Sequence, residues 1–223
     1  MTTATTTNTG QILQTLELDR FFDEQALSYD FIEGTVINPG QTRVIYLSSD
    51  IILGIYHALK EETGPAWSLI LKNCGRIWGQ KVARNLEREM TMLKQVKPAD
   101  LSALDFTKLL ETYFPAHGWG LLQVDLTDAV SHGLVRFTMK NSLFASVLEE
   151  ETCPVDSMIA GILQGFFIHL TGESLDCLEI GCERQGYREC TFVLTHEERL
   201  FDLAEDAENG RKSPEELYQS LKI

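Results

Sequence analysis

The residues best suited to chemistry lie in the C-terminal third: Cys153, Glu179, Cys182 and Cys190. The segment between Cys182 and Cys190 (Glu183-Arg184-Gln185-Gly186-Tyr187-Arg188-Glu189) has turn chemistry at its middle. A hairpin symmetric about Gly186 faces the two thiols across the ladder, with Cα atoms roughly 4.5–5.5 Å apart. That separation suits two ligands of one tetrahedral ion, with Zn–S near ~2.3 Å. It also suits a disulfide. Glu179 lies on the incoming strand. Three residues is an odd step, so a regular strand would turn Glu179 and Cys182 to opposite faces. A shared site therefore requires a bulge or a strand end at Gly181. Cys153, just ahead of Pro154, is placed to supply a fourth ligand from a helix entrance. A single buried cysteine is an ordinary small hydrophobe, and Cys177 and Cys74 are read that way. Three thiols with a spaced carboxylate point to metal, most directly zinc, with a redox pair as the alternative.

Positioning these groups takes a particular set of elements. Thr35–Ile37 and Arg43–Leu47 are β-like runs around the turn signal Asn38-Pro39-Gly40. Ser48, Ser49 and Asp50 offer N-caps for a helix through Ile51, Ile52, Ile55 and Leu59, ending near Gly64-Pro65. Trp67, Leu71, Cys74, Trp78, Val82, Leu86, Met90 and Leu93 recur at steps of three or four, the mark of one long helix closed by Pro98. Thr107–Phe114 is a shorter helical segment. Gly118–Leu126 and Leu134–Met139 read as paired strands, and Ser142–Glu150 as a short helix. Pro154 suits the first turn of a helix through Met158, Ile162, Phe166 and Leu170 that ends at Gly172. Cys177–Cys182 and Cys190–Leu194 form the hairpin. Ser213-Pro214-Glu215-Glu216 opens a last helix. Helices followed by mixed strands and helices give an α+β class with a mainly antiparallel sheet. The expected division is a disordered Thr-rich tail over residues 1–15, one domain over 16–195 and an acidic helical extension over 196–223.

A chain of 223 residues, 43% hydrophobic and 23% charged, can bury a core without covalent staples. A formal net charge of −14 argues against nucleic acid as a partner, since phosphate would be repelled. No apolar run reaches the ~18–20 residues that span a bilayer, and Met1–Gly10 has neither the basic nor the apolar region of a signal peptide. The expected location is the cytoplasm, or the periphery of a photosynthetic membrane.

The stretch from Asn141 to Leu194 resembles the 4-vinyl reductase domain family. The likeness rests on Asn141-Ser142-Leu143-Phe144-Ala145 after a strand, Cys153 before Gly161-Ile162-Leu163-Gln164-Gly165-Phe166, Glu179-Ile180-Gly181-Cys182, and Gly186-Tyr187-Arg188-Glu189-Cys190-Thr191-Phe192. Upstream, Gly75, Gly79 and Gly118-Trp119-Gly120 fit the same pattern, so the likeness spans roughly Arg43 to Leu194. In phenol-responsive regulators that contain this module the corresponding Cys, Glu, Cys and Cys bind zinc, which implies Cys153, Glu179, Cys182 and Cys190 here. The segment between Cys153 and Glu179 is slightly longer than in those regulators. The resemblance further implies the fold of the TRAPP trafficking subunits and, more distantly, of haem nitric-oxide sensors: helices on an antiparallel sheet, dimerisation, and an apolar cavity.

Candidate cavity residues are Trp67, Trp78, Trp119, Phe144 and Phe166, each otherwise ordinary core. His117 and His169 are candidate polar or axial ligands for a pigment, with a satisfied or exposed histidine as the plainer reading. Lys72, Arg76, Arg84 and Arg88 fall at multiples of four and form a candidate basic stripe for an anion or an acidic partner, or else a solvated face. The chain has no Gly-x-Gly-x-x-Gly after a strand, no P-loop and no flavin signature. Zinc with four protein ligands has no open position and is structural. The expected function is therefore a non-enzymatic binding protein for a tetrapyrrole or other apolar molecule. By resemblance to stand-alone cyanobacterial members, it is expected to serve photosystem assembly or pigment delivery. A dimeric adaptor without ligand and an auxiliary subunit of a vinyl reductase are the alternatives.

Overall fold

Helix boundaries follow local chemistry. Ser49 precedes α1 (Asp50–Thr63), which carries Asp50 in its first turn and Lys60 in its last, matching the helix dipole. One 3-10 turn, Gly64–Ala66 with Pro65 inside it, redirects the chain into α2 (Trp67–Lys94). Ser102 caps α3 (Ala103–Ala116) by accepting from the Asp105 N–H. The computed structural model describes residues 27–38, 41–94, 97 and 100–222. The expected tail over 1–15, the Pro39-Gly40 turn and the stop at Pro98 lie outside these residues, and the expected packing of Leu93 lies outside the described side chains.

Two antiparallel sheets are formed among the described residues. A small one pairs β1 (Ser28–Asp30), β2 (Thr35–Ile37) and β3 (Arg43–Val44) in that order. The main one contains β4 (Leu121–Asp125), β5 (Val135–Lys140), β6 (Leu175–Gly181) and β7 (Cys190–His196) in the order β4-β5-β7-β6. The expected β4–β5 pair and the β6–β7 hairpin are both present. Between them run α4 (Ala129–His132), α5 (Leu143–Val147) and α6 (Ser157–Thr171), the last ending on left-handed Gly172 as expected. The α6 helix starts after Asp156, so Pro154 lies before its first turn rather than in it.

Strand alternation sorts the sheet's two faces. Phe137, Met139, Phe192 and Leu194 point into the main core with α2, α3 and α6. Leu134, Ile180 and Val193 point the other way, where α7 (Ala204–Glu208) and α8 (Pro214–Ser220) cover them with Leu203, Ala207, Leu217 and Tyr218. The last helix has the expected capping box: Ser213 accepts from the Glu216 N–H, and the Glu216 carboxylate accepts from Ser213. The α+β class with an antiparallel sheet is the observed one.

The closest helix contact is between α2 and α6. Gly75 and Gly79 face the backbone of Met158 and Ile162, while Gly161 and Gly165 face that of Lys72 and Arg76. The pairing rises together along both chains, so the helices run parallel with two Gly-x-x-x-Gly motifs in contact. This seam explains a correction. Along α2 the residues Trp67, Leu71, Val82, Leu86 and Met90 are buried as their spacing predicts, but Cys74 is exposed. The buried line passes through Gly75 and Gly79 because only glycine admits α6 so close, which turns Cys74 outward by one helical step.

Candidate metal centre and ligand cavity

The β6–β7 hairpin builds half of the site. The ladder runs in register through Glu179, opposite Phe192, then shifts so that Gly181 faces Thr191. This irregularity is the bulge that the odd Glu179–Cys182 spacing requires, and it brings both side chains to the inner face. A 3-10 turn, Glu183–Gln185, closes on left-handed Gly186. The two sulfurs then sit 3.8 Å apart and unbonded. For Zn–S bonds of ~2.3 Å, the edge of a tetrahedron is about 3.8 Å.

The fourth member of this group is Asp156, not Cys153. Donor atoms of Asp156, Glu179, Cys182 and Cys190 all lie within 4.8 Å of one another, and all four residues are buried. Asp156 holds the N-cap position of α6 without capping it; its side chain turns inward instead. The expected ligand Cys153 is half-buried, with its thiol 3.5 Å from Glu151. Asp156 escaped the sequence reading because spacing was counted between cysteines. Its signal was an acid immediately before a helix.

Each donor is held by a second partner, as ligating groups usually are. Ser142 donates to Asp156 Oδ1, and the Asp156 N–H donates to Glu179 Oε2 at 2.8 Å. Asp156 Oδ2 and Glu179 Oε1 remain buried with no hydrogen-bond partner. The Arg184 N–H points at the Cys182 sulfur and the Glu183 N–H at the Cys190 sulfur, both at 3.4 Å. Without a cation, burial pushes Asp156 up to about 6 and Glu179 well above the usual carboxylate range. The thiols share a proton: the hydrogen bond from Cys190 brings Cys182 down to about 7, while Cys190 is raised. Two orphaned oxygens and two sulfurs at tetrahedral spacing fit a dication, which would offset the cost of burying these charges.

A cavity of about 740 Å³ lies elsewhere, between α1, α2, α3 and the β3–α1 connection. Trp78 and Trp119 form its wall with ring centroids 5.6 Å apart, alongside Ile52, Val82, Leu86 and Tyr113. The Trp119 indole N–H is buried without a partner. The other expected cavity aromatics do not line it. Phe144 is buried behind it, stacked on Trp119. Phe166 packs in the core against Phe106, and Trp67 meets Tyr56 edge-on. His117 lines the cavity, with Nδ1 2.8 Å from the Tyr113 carbonyl, whereas His169 pairs with Glu87 at 2.9 Å.

The basic stripe does not converge on a site. Lys72 pairs with Asp176 at 2.7 Å, Arg76 is partly buried, and Arg84 and Arg88 are exposed. A row of every fourth residue turns by ~40° per step, so Lys72 and Arg88 stand about 160° apart around the axis. The basic groups on the cavity wall are Arg43 and Lys81, which the sequence reading did not single out.

Residues 135–196 match the family model of the 4-vinyl reductase (V-4-R) domain. No curated protein matches the chain. The phenol-responsive sensory domain of the transcription activator PoxR, solved with phenol, is similar over 99% of this chain and 98% of its own, with 17% identity and a TM-score of 0.64. A vinyl-4-reductase family protein from Methanocaldococcus jannaschii is 17% identical over 83% of this chain and 92% of its own, with a TM-score of 0.48. A trafficking protein particle complex subunit 3 from Naegleria fowleri, covalently bound to palmitic acid, is 13% identical over 66% of this chain and 93% of its own, with a TM-score of 0.46. At these identities the shared property is the fold. The segment from residue 135 to 196, which spans β5 to β7 and holds all four donors of the candidate centre, is a domain of the 4-vinyl reductase type.

Proposed function

We propose that this chain is a non-enzymatic binding protein for an apolar small molecule, its 4-vinyl reductase domain pinned by a structural zinc ion. The observation that carries the reading is the cavity. Its ~740 Å³ lies in the range of small-molecule sites, and it is walled by two tryptophans and aliphatic groups. The buried, unpartnered Trp119 N–H inside that wall favours a ligand with an oxygen or nitrogen acceptor. The similar PoxR domain was solved with phenol, and a cavity of this size also has room for a much larger ring system.

The specific ligand we propose is a tetrapyrrole or a precursor of one. Arg43 and Lys81, both exposed, stand at the cavity in an otherwise acidic chain and suit the carboxylates such molecules carry. Pigment delivery during photosystem assembly is the role consistent with that ligand. The alternative of a dimeric adaptor draws support from exposed Phe31, Ile32, Ile45, Tyr46 and Leu47 around the small sheet.

The readings separate in one titration. Protein is titrated with a free-base porphyrin and, separately, with simple phenols, following visible absorption and tryptophan quenching. We expect saturable one-to-one uptake that weakens at least several-fold in Trp78→Ala and in Lys81→Glu when the porphyrin carries carboxylates. Saturable uptake of phenols alone would replace the tetrapyrrole by a smaller ring. Absence of uptake of either would refute the cavity reading, and dimerisation lost on Tyr46→Glu would then favour the adaptor.

A further inference from the structure

All four donors of the candidate centre are buried, yet the thiol expected to complete the set stands outside it. We infer that the metal is held by two carboxylates and two thiolates, with Asp156 as fourth ligand, and that Cys153 lines the route by which the metal reaches them. This rests on the reading of the cluster as a metal site, and is independent of what fills the large cavity.

The case for Asp156 is geometric. Glu179 and Asp156 are each anchored through one oxygen, by the Asp156 N–H and by Ser142 respectively. Each leaves its second oxygen buried and unpartnered, in a group whose donors all lie within 4.8 Å of one another. A helix N-cap aspartate normally accepts from its own helix. Asp156 forgoes that bond, so its side chain is committed to the cluster. The pair of N–H donors on the two sulfurs completes a support for four ligands without a fifth group.

The case for Cys153 is one of access. A second cavity of about 250 Å³ is lined by Cys153, Glu208 and Glu179, and so reaches one of the four donors. Glu151, beside the Cys153 thiol, adds another oxygen. A dication entering there meets a thiol and carboxylates before it meets the buried set. Transfer inward exchanges Cys153 for Cys182 and Cys190, whose protons leave as the metal–sulfur bonds form.

The test uses cobalt(II) in the full chain stripped of metal by chelation. Thiolate-to-cobalt charge-transfer absorption in the near ultraviolet grows with the number of sulfur ligands. Wild-type protein and Cys153→Ser should give equal bands at saturation. Asp156→Cys should raise the band by about half and Cys182→Ser should lower it by about half, as expected for two thiolates in a four-ligand site. Stopped-flow loading should be several-fold slower in Cys153→Ser. A band that falls by about a third in Cys153→Ser would make Cys153 a ligand and overturn the assignment of Asp156. Equal loading rates would overturn the access role alone. If neither zinc nor cobalt binds wild-type protein stoichiometrically, the metal reading itself is wrong.

Discussion

Replacing Gly79 by alanine should destabilise the protein, although alanine is the better helix former. A Cβ at Gly79 would stand 2.2 Å from the Ile162 carbonyl oxygen, and one at Gly165 would stand 2.0 Å from that of Arg76. Neither obstacle can rotate away, because both are backbone. Relief requires α2 and α6 to part by about 1 Å, and a gap of that size forfeits a quarter to a half of each facing dispersion contact. Overpacking of this kind costs about 3 kcal/mol, while alanine regains ~1 kcal/mol of helix propensity. The net loss is about 2 kcal/mol, or roughly 4–8 °C in unfolding midpoint for a chain of this size. Gly54 is the internal control. It lies in α1 with nothing within 4 Å of a built Cβ, so Gly54→Ala should stabilise by ~0.5–1 kcal/mol. The assay is urea unfolding followed by circular dichroism with metal present. A Gly79→Ala protein as stable as wild type would refute the close parallel seam.

Other outcomes follow from single contacts. Trp119→Phe keeps the ring stack but removes the orphaned N–H. It should weaken an oxygen-bearing ligand by roughly fivefold, about the worth of one neutral hydrogen bond, and leave a hydrocarbon analogue unchanged; calorimetry reads both. Chelation, or Cys182→Ser, should cost about 3–5 kcal/mol by leaving buried charges without their counterion. It should also speed amide exchange in α7, because Gln185 bridges the Cys182 N–H to the Ala207 carbonyl. Asp128 receives Lys222 at 2.7 Å and the Tyr218 hydroxyl at 2.8 Å, and these bonds hold its carboxyl below the usual value of 3.8. Its contribution is complete above pH 3.8 and is lost as pH falls through the lower folded value. Exchange in α8 should therefore rise on acidification, and Asp128→Asn should flatten that response.

Groups close together in the chain were legible in the sequence. Glu179, Cys182 and Cys190 lie on one hairpin, so strand parity alone demanded the bulge that the ladder shows at Gly181. Asp156 was not legible, because it reaches the hairpin only when α6 docks on α2 and the sheet, and that docking depends on four glycines facing one another. The large aromatics were visible as candidates, yet their sorting is tertiary. Trp78 and Trp119 face the cavity, while Trp67, Phe144 and Phe166 are buried in the core. Charge on α2 shows the same limit. Counting by four selected Lys72, Arg76, Arg84 and Arg88, but a helix turns every 3.6 residues, and the cavity takes Lys81 instead. The helix periodicity was right for the face and one step off at Cys74, where a glycine seam replaced a side-chain seam.

The central claim is a ligand-holding cavity beside a metal-pinned hairpin, and native mass spectrometry of the purified chain tests it most directly. The account predicts one divalent metal per chain, together with one retained or added apolar molecule that is lost in Trp78→Ala while the metal stays. A chain that carries metal but accepts no apolar molecule would contradict it.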